Sequence, residues 1–185
     1  MLRSLLLFCA ATALLVGAGV AFSQDKDPFE EGKPVAEHGK YDWLEGKWQV
    51  ALKLRDADGN WFESEGTAEY HWILDKRFMQ ESVKCKLDDT PYEWLGIFGF
   101  DKDAKQYTAI WFDNLDITSE TARGSCNEKT GALTFEGERS PTGEAKVKFS
   151  YVLRKGDADS LLMEVFEPAN GINRKVLEGR GKRIK

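Results

Sequence analysis

From Gly46 the chain alternates. Trp48, Val50, Leu52 and Leu54 fall on one side, and Lys47, Gln49, Ala51, Lys53 and Arg55 on the other. A period of two marks a strand with one buried face. Asp56-Ala57-Asp58-Gly59-Asn60 then supplies hairpin chemistry. The next run alternates again. Phe62, Ser64, Gly66, Ala68, Tyr70 and Trp72 share one face, with Glu63, Glu65, Glu69 and His71 opposite. The first set is expected to point inward, and its small members to leave space. Turn signals recur about every ten residues to the C-terminus. They separate predicted strands at 46–55, 61–72, 77–87, 92–100, 105–113, 117–126, 132–138, 145–154, 160–167 and 172–184. With no long helical pattern between them, the expected fold is all-β, an up-and-down antiparallel barrel of about ten strands. Closure removes the edges that an open meander would expose.

Ahead of the first strand, residues 37–45 predict a short helical turn ending at Gly46, with Tyr41, Trp43 and Leu44 near one barrel mouth. Residues 24–36, with Pro28 and Pro34 among charges, read as a flexible linker. Residues 1–23 read as a cleaved secretory signal. Arg3 gives the positive start, Leu5 to Val20 the apolar run, and Ala21-Phe22-Ser23 the small residues of a cleavage site. Gly17 and Gly19 interrupt the run and no basic stop-transfer cluster follows, which argues against an anchor. The expected address is therefore exported, periplasmic or secreted, with the domain at 37–185.

Charge narrows the partners. The full chain carries a formal −5. An acidic chain has no general attraction for nucleic acid, and none for an anionic membrane once the signal is cleaved. Two cysteines outlast cleavage, Cys85 and Cys126. Export permits a disulfide. In an up-and-down meander, however, the third strand ends where the sixth begins, so the two sulfurs belong at opposite barrel ends and are expected to stay free.

The ordered features resemble a known bacterial family. They are Glu37-His38, Leu44-x-Gly46-x-Trp48, Gly66-Thr67-Ala68, Ile73-Leu74 running into Arg77-Phe78, Leu95-Gly96-Ile97-x-Gly99-x-Asp101, and Trp111-x-Asp113-Asn114. Gly46-Lys47-Trp48 is similar to the Gly-x-Trp opening of calycin barrels, the lipocalin and fatty-acid-binding class. The whole set, over residues 37–184, resembles the family called domain of unknown function 1579. The resemblance implies a calycin-like barrel and frequent export. It brings no activity and no catalytic residues.

No catalytic or metal motif stands out, and no cofactor is expected. His71 falls on the glutamate face and His38 precedes the barrel. A haem ligand would have to lie inside. No Gly-x-Ser-x-Gly elbow occurs. Asp56-x-Asp58-Gly59 lacks the later ligands of a calcium loop. The residue that stands out is Glu81, a carboxylate on the apolar face of Met79, Val83, Cys85 and Leu87. Burial there is costly unless the group is paired. Arg77, on the same face, and Arg180 in the last strand are the expected partners. Glu120 can also face inward. The leading expectation is non-enzymatic binding of a small apolar molecule, in a cavity lined by Trp48, Phe62, Ser64, Gly66, Ala68, Tyr70 and Glu81. A packed barrel serving protein interaction in the cell envelope, and an enzyme acting at a barrel mouth, are the two alternatives. Ligand identity and oligomeric state are not written in these patterns.

Overall fold

A computed structural model of the chain describes residues 28–56, 58–140, 146–157, 159–169 and 171–185. The signal reading at 1–23 and the start of the linker lie outside the described residues. The chain divides into two compact units, residues 1–33 and 34–185. In the first, the described part is one helical turn, α1 (Pro28–Glu31), with an ion pair between Lys33 and Glu30. Among the described residues, no helix is long and apolar enough to cross a membrane.

The second unit is a 3-10 helix (Ala36–Leu44) followed by ten strands. These are β1 (Gly46–Arg55), β2 (Trp61–Ile73), β3 (Phe78–Leu87), β4 (Thr90–Asp101), β5 (Gln106–Asp113), β6 (Glu120–Cys126), β7 (Leu133–Arg139), β8 (Val147–Lys155), β9 (Ser160–Ala169) and β10 (Ile172–Arg183). Each strand pairs antiparallel with its sequence neighbours, and β1 pairs with β10 to close the barrel. The alternation sets the inner face: Trp48, Val50 and Leu52 of β1 are buried while the residues between them are exposed.

The sixth strand begins at Glu120 rather than at Ile117, later than the alternation suggests. Asp113 Oδ1 accepts the backbone N–H groups of Leu115 and Asp116, and Asp116 Oδ1 accepts those of Ile117 and Thr118. Such side-chain bonds compete with the ladder and hold 114–119 as a loop. A bulge in β10 between Lys175 and Leu177 brings Arg174, instead of Lys175, opposite Glu167 of β9.

One barrel end is plugged. The 3-10 helix buries Tyr41 and Leu44 completely. Tyr41 donates its hydroxyl to Gly99 O (3.0 Å), and Trp48 donates its indole N–H to Leu44 O (2.8 Å). The Arg183 guanidinium lies 4.1 Å over the Trp48 ring and donates to Trp43 O (2.7 Å) and to Glu45 O. This explains the Gly-x-Trp opening physically. Gly46 has φ +126°, and a Cβ there would lie 2.6 Å from Arg183 Nη1. Only glycine suits both the backbone and the guanidinium at that point.

The thiols are where the topology puts them. Cys85 lies near the end of β3, Cys126 ends β6, and both are free. Cys85 is buried, and Cys126 partly so.

Candidate functional site

Antiparallel pairing fixes which side chains meet at mid-barrel. Glu81 of β3 is opposite Tyr70 of β2 and Gly96 of β4, and Gly96 is opposite Trp111 of β5. Glu81 is fully buried. Four donors converge on its carboxylate. Tyr70 and Tyr151 hydroxyls donate to Oε1 at 2.5 and 3.2 Å. Trp94 and Trp111 indole N–H groups donate to Oε2 at 3.1 and 3.3 Å. Gly96 makes the cluster fit: a Cβ there would sit 2.7 Å from Glu81 Oε2 and 3.0 Å from the Trp111 ring.

Burial pushes the Glu81 carboxyl above its ordinary range, and the four hydrogen bonds pull against that shift without cancelling it. The donors tolerate a proton. Indole N–H groups can only donate, so Oε2 stays an acceptor. A proton on Oε1 could be given to one tyrosine oxygen while the other hydroxyl still donates. Both tyrosines are themselves driven far above their ordinary range, first by burial and then by the Glu81 charge, and so keep their protons.

The expected arginine partners are not those used. Arg77 donates to Leu74 O and pairs with Asp75. Arg180 pairs with Glu178 on the outer face, because its neighbour Gly179 is the residue opposite inward Leu52. Glu81 is held instead by four neutral aromatic donors.

Above this cluster lies a cavity of about 350 Å³ at the barrel end opposite the helical plug. Trp94, Trp111, Phe149 and Tyr151 line its inner part, with Tyr92, Val165 and Leu177. Asp113, Asp116, Glu120 and Arg139 are its charged residues. The 114–119 loop contributes Leu115 and Thr118. Arg139 pairs with Glu120 (3.8 Å) and with Glu167. Burial raises the Glu120 carboxyl, Arg139 opposes the shift, and the nearby Asp113, Glu167 and Asp116 add to it.

The residues expected to line a cavity are distributed differently. Glu81 and Tyr70 lie together beneath this one. Trp48 belongs to the plugged end. Phe62, Ser64, Gly66 and Ala68 do not line the cavity, which lies against the wall from β4 to β10. At Gly66 the small residue marks a close approach of β3 rather than spare room. A Cβ there would fall 2.2 Å from Lys84 O and 2.8 Å from Cys85 Cβ. Ser64 spends its hydroxyl on Lys86 O. Ala68 is buried in the strand register between Trp48 and Val83.

His71 is only partly buried and lies outside the inner set, whose β2 members are Ala68, Tyr70 and Trp72. His38 accepts the Val35 N–H at Nδ1 (3.1 Å), within the plug. Among the described residues, no cluster of His, Cys, Asp and Glu could hold a metal ion. Asp56 accepts the Asn60 N–H (2.7 Å), an ordinary hairpin use of that carboxylate.

A closed ten-stranded antiparallel barrel, plugged at one end and hollow at the other, defines the class. Within it, the chain belongs to the family described as "Protein of unknown function (DUF1579)", whose model matches residues 33–183. Among solved structures it is similar to Rv2717c from M. tuberculosis, at 14% identity and TM-score 0.61 over 83% of this chain and all of that one. At that identity the likeness is one of fold. A redesigned beta barrel, b11L5F_LGL, and EF1p2_mFAP2b bound to DFHBI each reach only TM-score 0.41 at 13% identity. They cover 79% and 80% of this chain, and 96% and 98% of their own. Likenesses that distant bear on neither fold nor ligand. None of the curated proteins compared with the chain matches it.

Proposed function

We propose that this is an exported, non-enzymatic binding protein that takes one small, mostly apolar molecule into the cavity at the open end of its barrel. The observation that carries this reading is the cavity itself: about 350 Å³, floored by aromatic rings and set opposite a plugged end. That volume lies within the usual range for small-molecule sites. A barrel built only as a packed scaffold has no use for such a space. Glu81 favours binding over acid–base chemistry, since both its oxygens are committed to donors from the barrel wall. Export rests on the organisation of residues 1–23.

The test is titration with a neutral, polarity-sensitive dye, N-phenyl-1-naphthylamine, against the wild type and Val165→Trp. Val165 lines the cavity and is only partly buried, so the larger ring fills the ligand space. The wild type should enhance dye emission with one-site saturation, and the folded variant should bind at least about tenfold more weakly, the loss of roughly one ring's contacts. Equal uptake by both would place the ligand elsewhere, and no uptake by the wild type would end the reading.

A further inference from the structure

The cavity's hydrogen-bonding groups narrow the ligand class, and this step rests on the binding function proposed above. Its carboxylates are already engaged. Both Glu81 oxygens take donors from the barrel wall. Asp113 Oδ1 accepts the Leu115 and Asp116 N–H groups, and its Oδ2 lies 3.5 Å from the Tyr92 hydroxyl. Asp116 Oδ1 accepts the Ile117 and Thr118 N–H groups. Glu120 pairs with Arg139 at 3.8 Å.

Donors are left over. Arg139 lines the cavity and gives Nη2 to Glu167, but its Nε–H is buried with no acceptor among the described residues. Arg174, opposite Glu167 in the β9–β10 register, has its Nε–H in the same state. Thr118 and Ser140 add their hydroxyls to the lining. A buried N–H without a partner carries the full cost of its lost hydration, and an oxygen that accepts it recovers that cost.

Charge decides which kind of oxygen fits. Arg139 and Arg174 stand against Glu120 and Glu167, two against two. Asp113 and Asp116 are negative beyond that balance. A carboxylate or phosphate on the ligand would add like charge beside them in a partly desolvated space. A carbonyl brings the acceptor without the charge.

We infer that the ligand is a neutral carbonyl compound, a ketone or ester on an apolar body, its oxygen taken by the Arg139 Nε–H and its body against the aromatic floor. Nε is out of water's reach, so the Arg139 side chain, 34% exposed, turns that edge toward the ligand as it enters.

The experiment compares three probes on one aromatic frame by isothermal titration of the full mature chain. They are 2-acetonaphthone, its hydrocarbon isostere 2-isopropenylnaphthalene, and 2-naphthoate. A purely apolar cavity would rank the hydrocarbon first. The ketone should instead bind at least about tenfold more tightly than the hydrocarbon, and the naphthoate most weakly. Arg139→Lys keeps the charge that faces Glu120 and Glu167 but has no Nε–H, and should bring ketone and hydrocarbon within about twofold of each other. Should that variant fail to fold, nitrogen-15 NMR of the wild type decides: the Arg139 Nε–H proton should move downfield with the ketone and stay in place with the hydrocarbon. If ketone and hydrocarbon bind alike, if the naphthoate binds best, or if the Arg139 signal ignores the ketone, the carbonyl inference is overturned while cavity binding stands. If none of the three binds, both fall.

Discussion

Replacing Glu81 separates the role of its charge from the role of its lone pairs. In Glu81→Leu the Trp94 and Trp111 N–H groups lose their acceptor. The two tyrosine hydroxyls can turn toward each other, but an indole N–H cannot become an acceptor. Each buried, unpaired donor costs about 1–3 kcal/mol, so the two indoles alone cost about 2–6 kcal/mol. Total stability is typically about 5–15 kcal/mol, so this variant should be severely weakened. Glu81→Gln keeps the acceptor. Its carbonyl oxygen takes both indoles, and its NH2 group faces two hydroxyls that can rotate to accept.

The Gln variant also carries a pH signature. The Glu81 carboxyl is raised above its ordinary 4.5 by burial. Below that value the group is protonated in both the folded and unfolded states and contributes no pH dependence. Above it the unfolded chain ionises first, while the folded chain holds its proton. Wild-type stability from this group is therefore lost as pH rises from 4.5 through the higher folded value, at up to about 1.4 kcal/mol per pH unit. Glu81→Gln has no such loss. Urea unfolding followed by tryptophan fluorescence from pH 4 to 9 should show the variant gaining on wild type as pH rises. Parallel curves across that range, or a Leu variant as stable as the Gln variant, would refute the reasoning.

Gly96→Ala should lower the melting temperature and reduce dye uptake, because its Cβ would press on Glu81 Oε2 and the Trp111 ring; differential scanning calorimetry with the same titration checks both. Tyr41→Phe should cost about 1 kcal/mol in urea unfolding through loss of the bond to Gly99 O, without moving dye affinity, since Tyr41 is in the plug. Thiol titration of denatured, unreduced protein should find two reactive groups in the mature chain; in the native state Cys126 should react first and the buried Cys85 slowly. N-terminal sequencing of protein recovered from its host should begin at Gln24 or within a few residues.

The barrel was legible because a half-buried strand repeats every two residues. Trp48, Val50 and Leu52 declare their shared face with no knowledge of their partners. Glu81 was legible as a misfit on such a face. Its partners were not, because Tyr151 lies 70 residues away and meets Glu81 only across the closed barrel. Arginine is the usual mate of a buried carboxylate, but a one-residue step in register puts Arg180 outside. Where a cavity lies is hard to read for a related reason. Gly66 and Ala68 look like missing volume in the sequence, yet a small residue also marks where a neighbouring strand comes close, and Lys84 O does so at Gly66. The late start of β6 follows from two aspartates bonding forward to their own backbone, which alternation alone does not reveal.

The most direct test of the central claim is native mass spectrometry of the mature protein purified from its own host, beside Val165→Trp prepared in the same way. The account predicts a single added small-molecule mass on the wild type, released by mild activation and missing from the folded variant. A wild type that flies only at its bare polypeptide mass, or an adduct retained in full by Val165→Trp, would contradict it.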